Sequence, residues 1–289
     1  MIRNENEFHT PVLLSQVIVG LNIKKGGLYI DATIGGGGHT REILQLEGKV
    51  LGIDQDPNAV EYVKDHIQNP NLLLQVGNFR DIKEIAQKFG FNKVDGILFD
   101  LGISSYQLDK GSKGFSFLKD EPLDMRMDKR SWPVTAEKVV NKYSVSELYD
   151  IFTLFAEEID SRDVSKNIVR ARKIKPIKTT ADLVSAAGLD LAKIEDIGKA
   201  ARIFQAVRIE VNQELENLKR AIPEATALLV RGGRLLFISF HSLEDRIIKK
   251  QMKNEKVIEL TKKPIVPDEK EQRINPRSRS AKLRIYEKI

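Results

Sequence analysis

An α/β fold, built on a doubly wound and mostly parallel sheet that a helical insert interrupts, is what this 289-residue sequence predicts. Three observations carry the prediction. Short apolar runs alternate with helical stretches through the first third of the chain. A glycine-rich turn joins the first run to the first helix. Strand character then returns near the C-terminus, after a long helical region.

The runs are "LYIDATI" (28–34), "KVLGIDQD" (49–56), "LLLQVGNF" (72–79) and "VDGILFDLG" (94–102). Each is short and almost continuously apolar, as a strand buried on both faces of a parallel sheet must be. Between them, "PNAVEYVKDHI" (57–67) and "FRDIKEIAQKFG" (79–90) read as helices. Strand alternating with helix specifies parallel pairing through crossover connections.

From Asp109 to Pro133 the chain is rich in Gly, Ser and charge and reads as a long loop; its stretch "PLDMRMD" (122–128) suits a mobile lid. Helices follow. Ser144 and Glu147 have capping-box spacing, with Leu148, Ile151, Phe152, Phe155 and Ile159 on one face. "TTADLVSAAG" (179–188) opens on a capping threonine and closes on glycine. One long helix then carries Phe204, Val207, Val211, Leu215, Leu218 and Ile222 as a stripe. "GRLLFISF" (233–240) is a strand after a Gly-Gly turn, followed by weaker strands at 256–260 and 283–289. The expected domains are therefore 1–109 with 209–289, and an inserted, mainly helical domain at 110–208.

No apolar run approaches the roughly 18 residues of a membrane span, and "MIRNENEFHT" lacks a signal-peptide core. No membrane partner is expected, and the location is read as cytoplasmic. There is no cysteine, which excludes disulfides and thiolate metal sites. The four histidines (His9, His39, His66, His241) show no ligand spacing, so no metal is expected. The net charge is +6, and two stretches without acids concentrate the cations. One lies between Val164 and Ala181, with Arg170, Arg172, Lys173 and Lys175; the other is "RINPRSRSAKLR" (273–284), with Arg277 and Arg279. Separate basic segments point to a polyanion, and these residues are candidates for phosphate contacts.

The turn "IGGGGHT" (34–40) presents bare backbone beside the positive end of a helix. Neither register of its first two glycines yields G-x-G-x-x-G, because Thr40 or Arg41 falls at the third glycine; this disfavours a nicotinamide cofactor. Asp31 lies on the first strand just before the turn, Asp54 ends the second at the position for ribose hydroxyls, and Phe79 follows the third. Asp100 ends the fourth, where a doubly wound sheet holds its ligand. Turn, acids and strand order together look like the S-adenosylmethionine site of a class I (Rossmann-like) methyltransferase domain.

A more specific resemblance rests on "HTPVLL" (9–14), "GGGGHT" (35–40), "DLGISSYQLD" (100–109), "GFSF" (114–117), "PLDMRMD" (122–128), "FQAVRIEVNQEL" (204–215), "GGRLLFISFHSLEDRIIK" (232–249) and "NPRSRSAKLR" (275–284). In content and order these resemble the bacterial ribosomal small subunit methyltransferase H family, also called MraW. The resemblance implies methylation by S-adenosylmethionine of the N4 amino group of a cytidine in 16S ribosomal RNA, near the decoding site. It places cofactor contacts on Gly37, Gly38, His39, Asp54, Phe79, Asp100 and Gln107. Two departures are mild: a glycine stands where many relatives carry a larger residue before Gly-Gly-His, and Tyr106 stands where proline is common. The stretch 130–200 matches least.

Without cysteine the chain cannot form the covalent adduct common in C5 methylation of pyrimidines. Direct in-line attack by an exocyclic amine needs none, only orientation and an acceptor for one proton. Asp100 is the leading candidate for that acceptor. His241, after the fifth strand, reads either as a site residue or as part of a helix start at Ser242. The rival class is a methyltransferase fold kept as a non-catalytic RNA- or ribosome-binding module, against which the intact acids and glycines speak.

Overall fold

The computed structural model describes residues 11–102, 113–130 and 133–289. The first segment carries α1 (Leu14–Leu21), β1 (Leu28–Asp31), α2 (Gly38–Gln45), β2 (Lys49–Asp54), α3 (Pro57–His66), β3 (Leu72–Val76), α4 (Ile82–Lys88) and β4 (Val94–Asp100). The next helices are α5 (Ala136–Lys142), α6 (Val145–Ala156), α7 (Ser161–Ile174), α8 (Thr180–Ala186) and α9 (Ile194–Asn212). The chain ends with α10 (Glu214–Leu228), β5 (Leu229–Ser239), α11 (Ser242–Met252), β6 (Val257–Glu259), α12 (Glu269–Ile274) and β7 (Lys282–Lys288). Two compact units result, 1–104 with 215–289, and 105–214.

The first unit holds a seven-stranded sheet in the order β3-β2-β1-β4-β5-β7-β6. β1 to β5 pair in parallel, and β7 runs antiparallel to β5 and β6. The apolar runs are continuous because both faces are covered. Ile30, Ile97, Phe99, Leu235 and Phe237 join Leu218, Ile222 and Ile248 on one side. Tyr29, Val50, Leu98, Leu236 and Ile238 join Val17, Leu21 and Val63 on the other. Phe99 stacks on Phe237 with ring centroids 5.1 Å apart. The strand order reverses at β1, with β2 on one side and β4 on the other. That is where such sheets open a crevice at their carboxyl ends.

In the second unit, Ser144 and Glu147 form the capping box that starts α6. Thr179 and Asp182 form one at α8, and Gly188 follows with a left-handed φ of 78°. Leu148, Ile151 and Phe152 are buried, but α6 ends at Ala156 and Ile159 is 96% exposed, so the expected face stops one turn early. The stripe from Phe204 to Ile222 is also not one helix. Gln213 takes φ 53° and parts α9 from α10 at the boundary between the units.

The segment 122–128 is an interior strut, not a lid. Leu123, Met125 and Met127 are buried. Its backbone is tied to Lys178 and Lys113, and to the Asn212 side chain, which receives from Met127 N and donates to the Met125 carbonyl. Methionine in a charged loop suggests mobility in sequence; in the fold it fills the core of the insert. Among the described residues no helix is long and apolar enough to cross a membrane.

Candidate functional site

Three acids and one turn meet at the carboxyl ends of β1, β2 and β4. Asp31 ends β1 fully buried, and its Oδ2 accepts from the Thr40 hydroxyl at 2.7 Å. Burial pushes its pKa up to about 6, against the pull of the Thr40 and Thr33 hydrogen bonds. Asp54 ends β2; its Oδ1 accepts from Asp56 N at 2.8 Å and its Oδ2 from Gly35 N at 3.0 Å. Burial raises it to about 6 as well. The Asp54 carboxylate thus bridges β2 to the glycine turn after β1.

The turn is left-handed at Gly35 (φ 49°) and Gly37 (φ 74°). At Gly35 a Cβ would meet nothing among the described residues closer than a carbonyl at 3.9 Å, so that face is open. Gly37 is the N-cap of α2 and offers no side-chain cap; a Cβ there would also strike Ile67 Cδ1 at 2.7 Å. At Gly38 a Cβ would reach Pro11 Cγ at 2.9 Å. Close packing by the protein itself, together with the backbone conformation, therefore accounts for glycine at 37 and 38. The orphan N–H groups of the first turn of α2 lie beside this turn, with no side-chain cap from the N-cap residue.

Asp100 ends β4, and its main-chain N–H donates to Thr33 Oγ1 at 2.7 Å. Thr33 so locks the loop after β1 to the end of β4. The Asp100 carboxylate is 15% exposed, and its buried Oδ1 has no hydrogen-bond partner among the described residues. Burial first, then the charge of Asp31 and that of Glu244, push its pKa up to about 7, while the Gly102 backbone N–H opposes this. His39 is buried in α2, with Nε2 3.0 Å from the Val12 carbonyl and Nδ1 3.9 Å from Asp100 Oδ2. Its imidazole thus packs inward, and is not the plain helix-start residue its position suggests.

Phe79 is half-buried after β3, set edge-on to Phe99 at 5.6 Å and 84°. Gln107 lies outside the described residues. α11 starts at Ser242, and His241 is its N-cap: the His241 side chain accepts from Glu244 N, and Glu244 Oε2 accepts from Phe240 N at 2.8 Å. Sequence reading assigned no role to Thr33 or Thr40, both of which stand beside the glycines of the turn.

Of the candidate phosphate contacts, Arg170 and Lys173 are exposed on α7, and Arg277 and Arg279 are exposed between α12 and β7. Two of the insert cations are otherwise engaged. Arg172 donates to the Val140 carbonyl at 2.7 Å, and Lys175 pairs with Asp182 at 2.9 Å. Arg284, in the second acid-free stretch, is buried against Asp245 and Glu259.

The family model described as the MraW methylase family matches residues 6–289. The chain belongs to that family. As a family member it is a methyltransferase. Ribosomal RNA small subunit methyltransferase H of Clostridium botulinum strain Loch Maree is 44% identical to it, over 97% of this chain and 99% of the relative. The protein of the same name from strain Kyoto matches to the same extent. Among solved structures, PH0851 aligns at TM-score 0.50 and 14% identity, over 96% of this chain and 46% of that one, which is likeness of fold. The methylase thus carries its sheet, glycine turn and strand-end acids inside a match that runs almost end to end.

Proposed function

We propose that this chain transfers a methyl group from S-adenosylmethionine to N4 of a cytidine in 16S ribosomal RNA of the small subunit, near the decoding site, with Asp100 accepting the amine proton. The observation that carries the reading is Asp100 itself: a carboxylate at the end of β4 with a buried Oδ1 that no described residue satisfies, and a pKa near neutrality. An orphaned acceptor costs free energy unless a ligand supplies a donor. The open face of Gly35 and the uncapped start of α2 are a second fit to the cofactor.

When bound, the cofactor supplies a methyl group already activated by its sulfonium, so the protein need only hold, orient and deprotonate. In this reading the uncapped turn Gly37-Gly38-His39 receives the cofactor's carboxylate through main-chain N–H groups. Asp54 takes the ribose hydroxyls: each of its oxygens accepts one backbone bond and has a lone pair left. Phe79 lies against the adenine, and Gln107 completes the set. Asp100 accepts a hydrogen bond from the N4 amine, which holds the weakly nucleophilic nitrogen toward the methyl group. It then takes the proton as the C–N bond forms and the C–S bond breaks. A pKa near 7 suits that exchange at neutral pH. The cytidine must leave its stack to reach such an acceptor. The insert, read as 110–208, serves as the platform for the RNA, with Arg170 and Lys173 on phosphates, joined by Arg277 and Arg279 from the tail. Such a substrate puts the reaction in the cytoplasm.

The test is methyl transfer from isotopically labelled S-adenosylmethionine to small subunits that lack the modification, with labelled nucleosides identified by mass spectrometry. Label on N4 of a cytidine is the expected result. Cofactor binding without label on any cytidine would overturn the substrate; failure to bind the cofactor would overturn the site.

A further inference from the structure

Residues 11–13 run beside the glycine turn in an unusual conformation. Leu13 is fully buried, yet stands in the left-handed region at φ 54° and ψ 34°. That costs a residue with a Cβ about 1–2 kcal/mol, and it persists only where the surroundings impose it. Two contacts impose it here. Glu271, on α12, accepts the Leu13 N–H through Oε1 at 2.7 Å, across 258 positions of sequence. On the other side, the Val12 carbonyl meets Nε2 of His39 at 3.0 Å.

A carbonyl only accepts, so the proton of a neutral His39 sits on Nε2. Nδ1 is then the acceptor of the ring, and it is the nitrogen that faces Asp100 Oδ2. Among the described residues, the titratable groups around that carboxylate are Asp31 from β1, Glu244 from α11 and His39 from α2. Of these, Asp31 and Glu244 are carboxylates whose charge raises the pKa of Asp100, and His39 is the one nitrogen base, with Nδ1 3.9 Å from Asp100 Oδ2. In the opposite tautomer an N–H at Nδ1 would donate to Asp100 and hold it ionised, which makes it a poorer base.

We infer that Glu271 is a positioning residue for methyl transfer: by fixing Leu13 it presents the Val12 carbonyl to His39 and sets the tautomer that faces Asp100. The proton balance is complete. It leaves the N4 amine for an Asp100 oxygen, passes to His39 Nδ1 to give an imidazolium, and is released to water. The kinetic part of this rests on Asp100 as the acceptor; the tautomer does not.

The experiment uses full-length protein labelled with 15N only at histidine, of which there are four. Nitrogen shifts distinguish the two neutral tautomers, and kcat is followed against pH in the same samples. The variants are Glu271→Gln, which keeps an oxygen for the Leu13 N–H, and Glu271→Ala, which does not. We expect wild type and Glu271→Gln to show His39 as the Nε2–H tautomer with matching kcat profiles. Glu271→Ala should show mixed tautomers, and kcat about tenfold lower, a fraction of the roughly 10²–10⁴ that an acid–base group supplies. A single unchanged tautomer in Glu271→Ala overturns the inference, as does equal loss in both variants. So does a melting-temperature drop with kcat intact. Near-full turnover in Asp100→Asn would instead remove the acceptor role of Asp100, and the nitrogen shifts would still decide that of Glu271.

Discussion

Replacing Asp100 by Asn should stabilise the protein above neutral pH while removing its activity. The folded state raises this carboxyl from 3.8 to about 7. Between those values the folded chain binds a proton that the unfolded chain has released, so stability falls as pH rises through that window. Below it both states are protonated and the carboxyl costs nothing; above it the folded state bears the full cost of a buried charge. At roughly 1.4 kcal/mol per pKa unit, the ceiling is about 4 kcal/mol at high pH. Asparagine leaves its own polar atoms where Oδ1 lacks a partner, at about 1–3 kcal/mol. A net gain of about 1–3 kcal/mol remains, or a rise in Tm of about 2–6 °C for a chain of this size. The assay is thermal unfolding of both proteins from about pH 5 to about pH 8.5, a range that spans the raised carboxyl, with turnover measured alongside. The difference in Tm must grow with pH, and kcat should fall by at least about 10²-fold. A Tm difference that is flat with pH would refute the argument from burial. Near-full turnover would refute the role of Asp100 as proton acceptor.

Two further predictions concern the turn and the basic surfaces. Gly37→Ala forces a Cβ into a left-handed N-cap and against Ile67, and should cost about 1–3 kcal/mol of stability with weaker binding of S-adenosylmethionine, read by calorimetry. Charge reversal at Arg170, Lys173, Arg277 and Arg279 should weaken RNA binding and flatten its dependence on salt, by about 0.7–0.9 in slope for each phosphate no longer neutralised; unchanged affinity across a salt series would remove these residues from the interface.

What was legible in the sequence is what depends on short-range pattern. The strands of the sheet stood out because burial on both faces makes each a continuous apolar run, and their terminal acids followed at once. The capping-box spacing at Ser144 and the capping threonine at Thr179 are signals of a few residues, and both caps formed. What the pattern hid is set by tertiary contact. Helical periodicity runs straight through Gln213, because nothing in the stripe registers that one residue turns left-handed where the units part. Met125 and Met127 read as a lid because their charged neighbours suggest a surface, yet Arg126 and Lys129 fold back on Asp124 and the methionines go inward. A run of cations likewise cannot reveal that Arg172 caps a carbonyl or that Arg284 is buried on Asp245. The contact of Glu271 with Leu13 has no local signature at all.

The strand-end acids explain why these residues stand where apolar ones would be more stable. Asp31, Asp54 and Asp100 all have raised pKa values, and burial is the largest cause in each. The three differ in how far the protein compensates. Asp54 receives two backbone donors and Asp31 receives the Thr40 hydroxyl along with Thr33 N, so each is held by the fold itself. Asp100 keeps one oxygen with no donor among the described residues and carries the highest pKa of the three. A fold selected for stability alone would have satisfied that oxygen or removed it. An Asp100 oxygen without a donor among the described residues, with the other oxygen 3.9 Å from His39 Nδ1, is the arrangement the proposed proton acceptor requires.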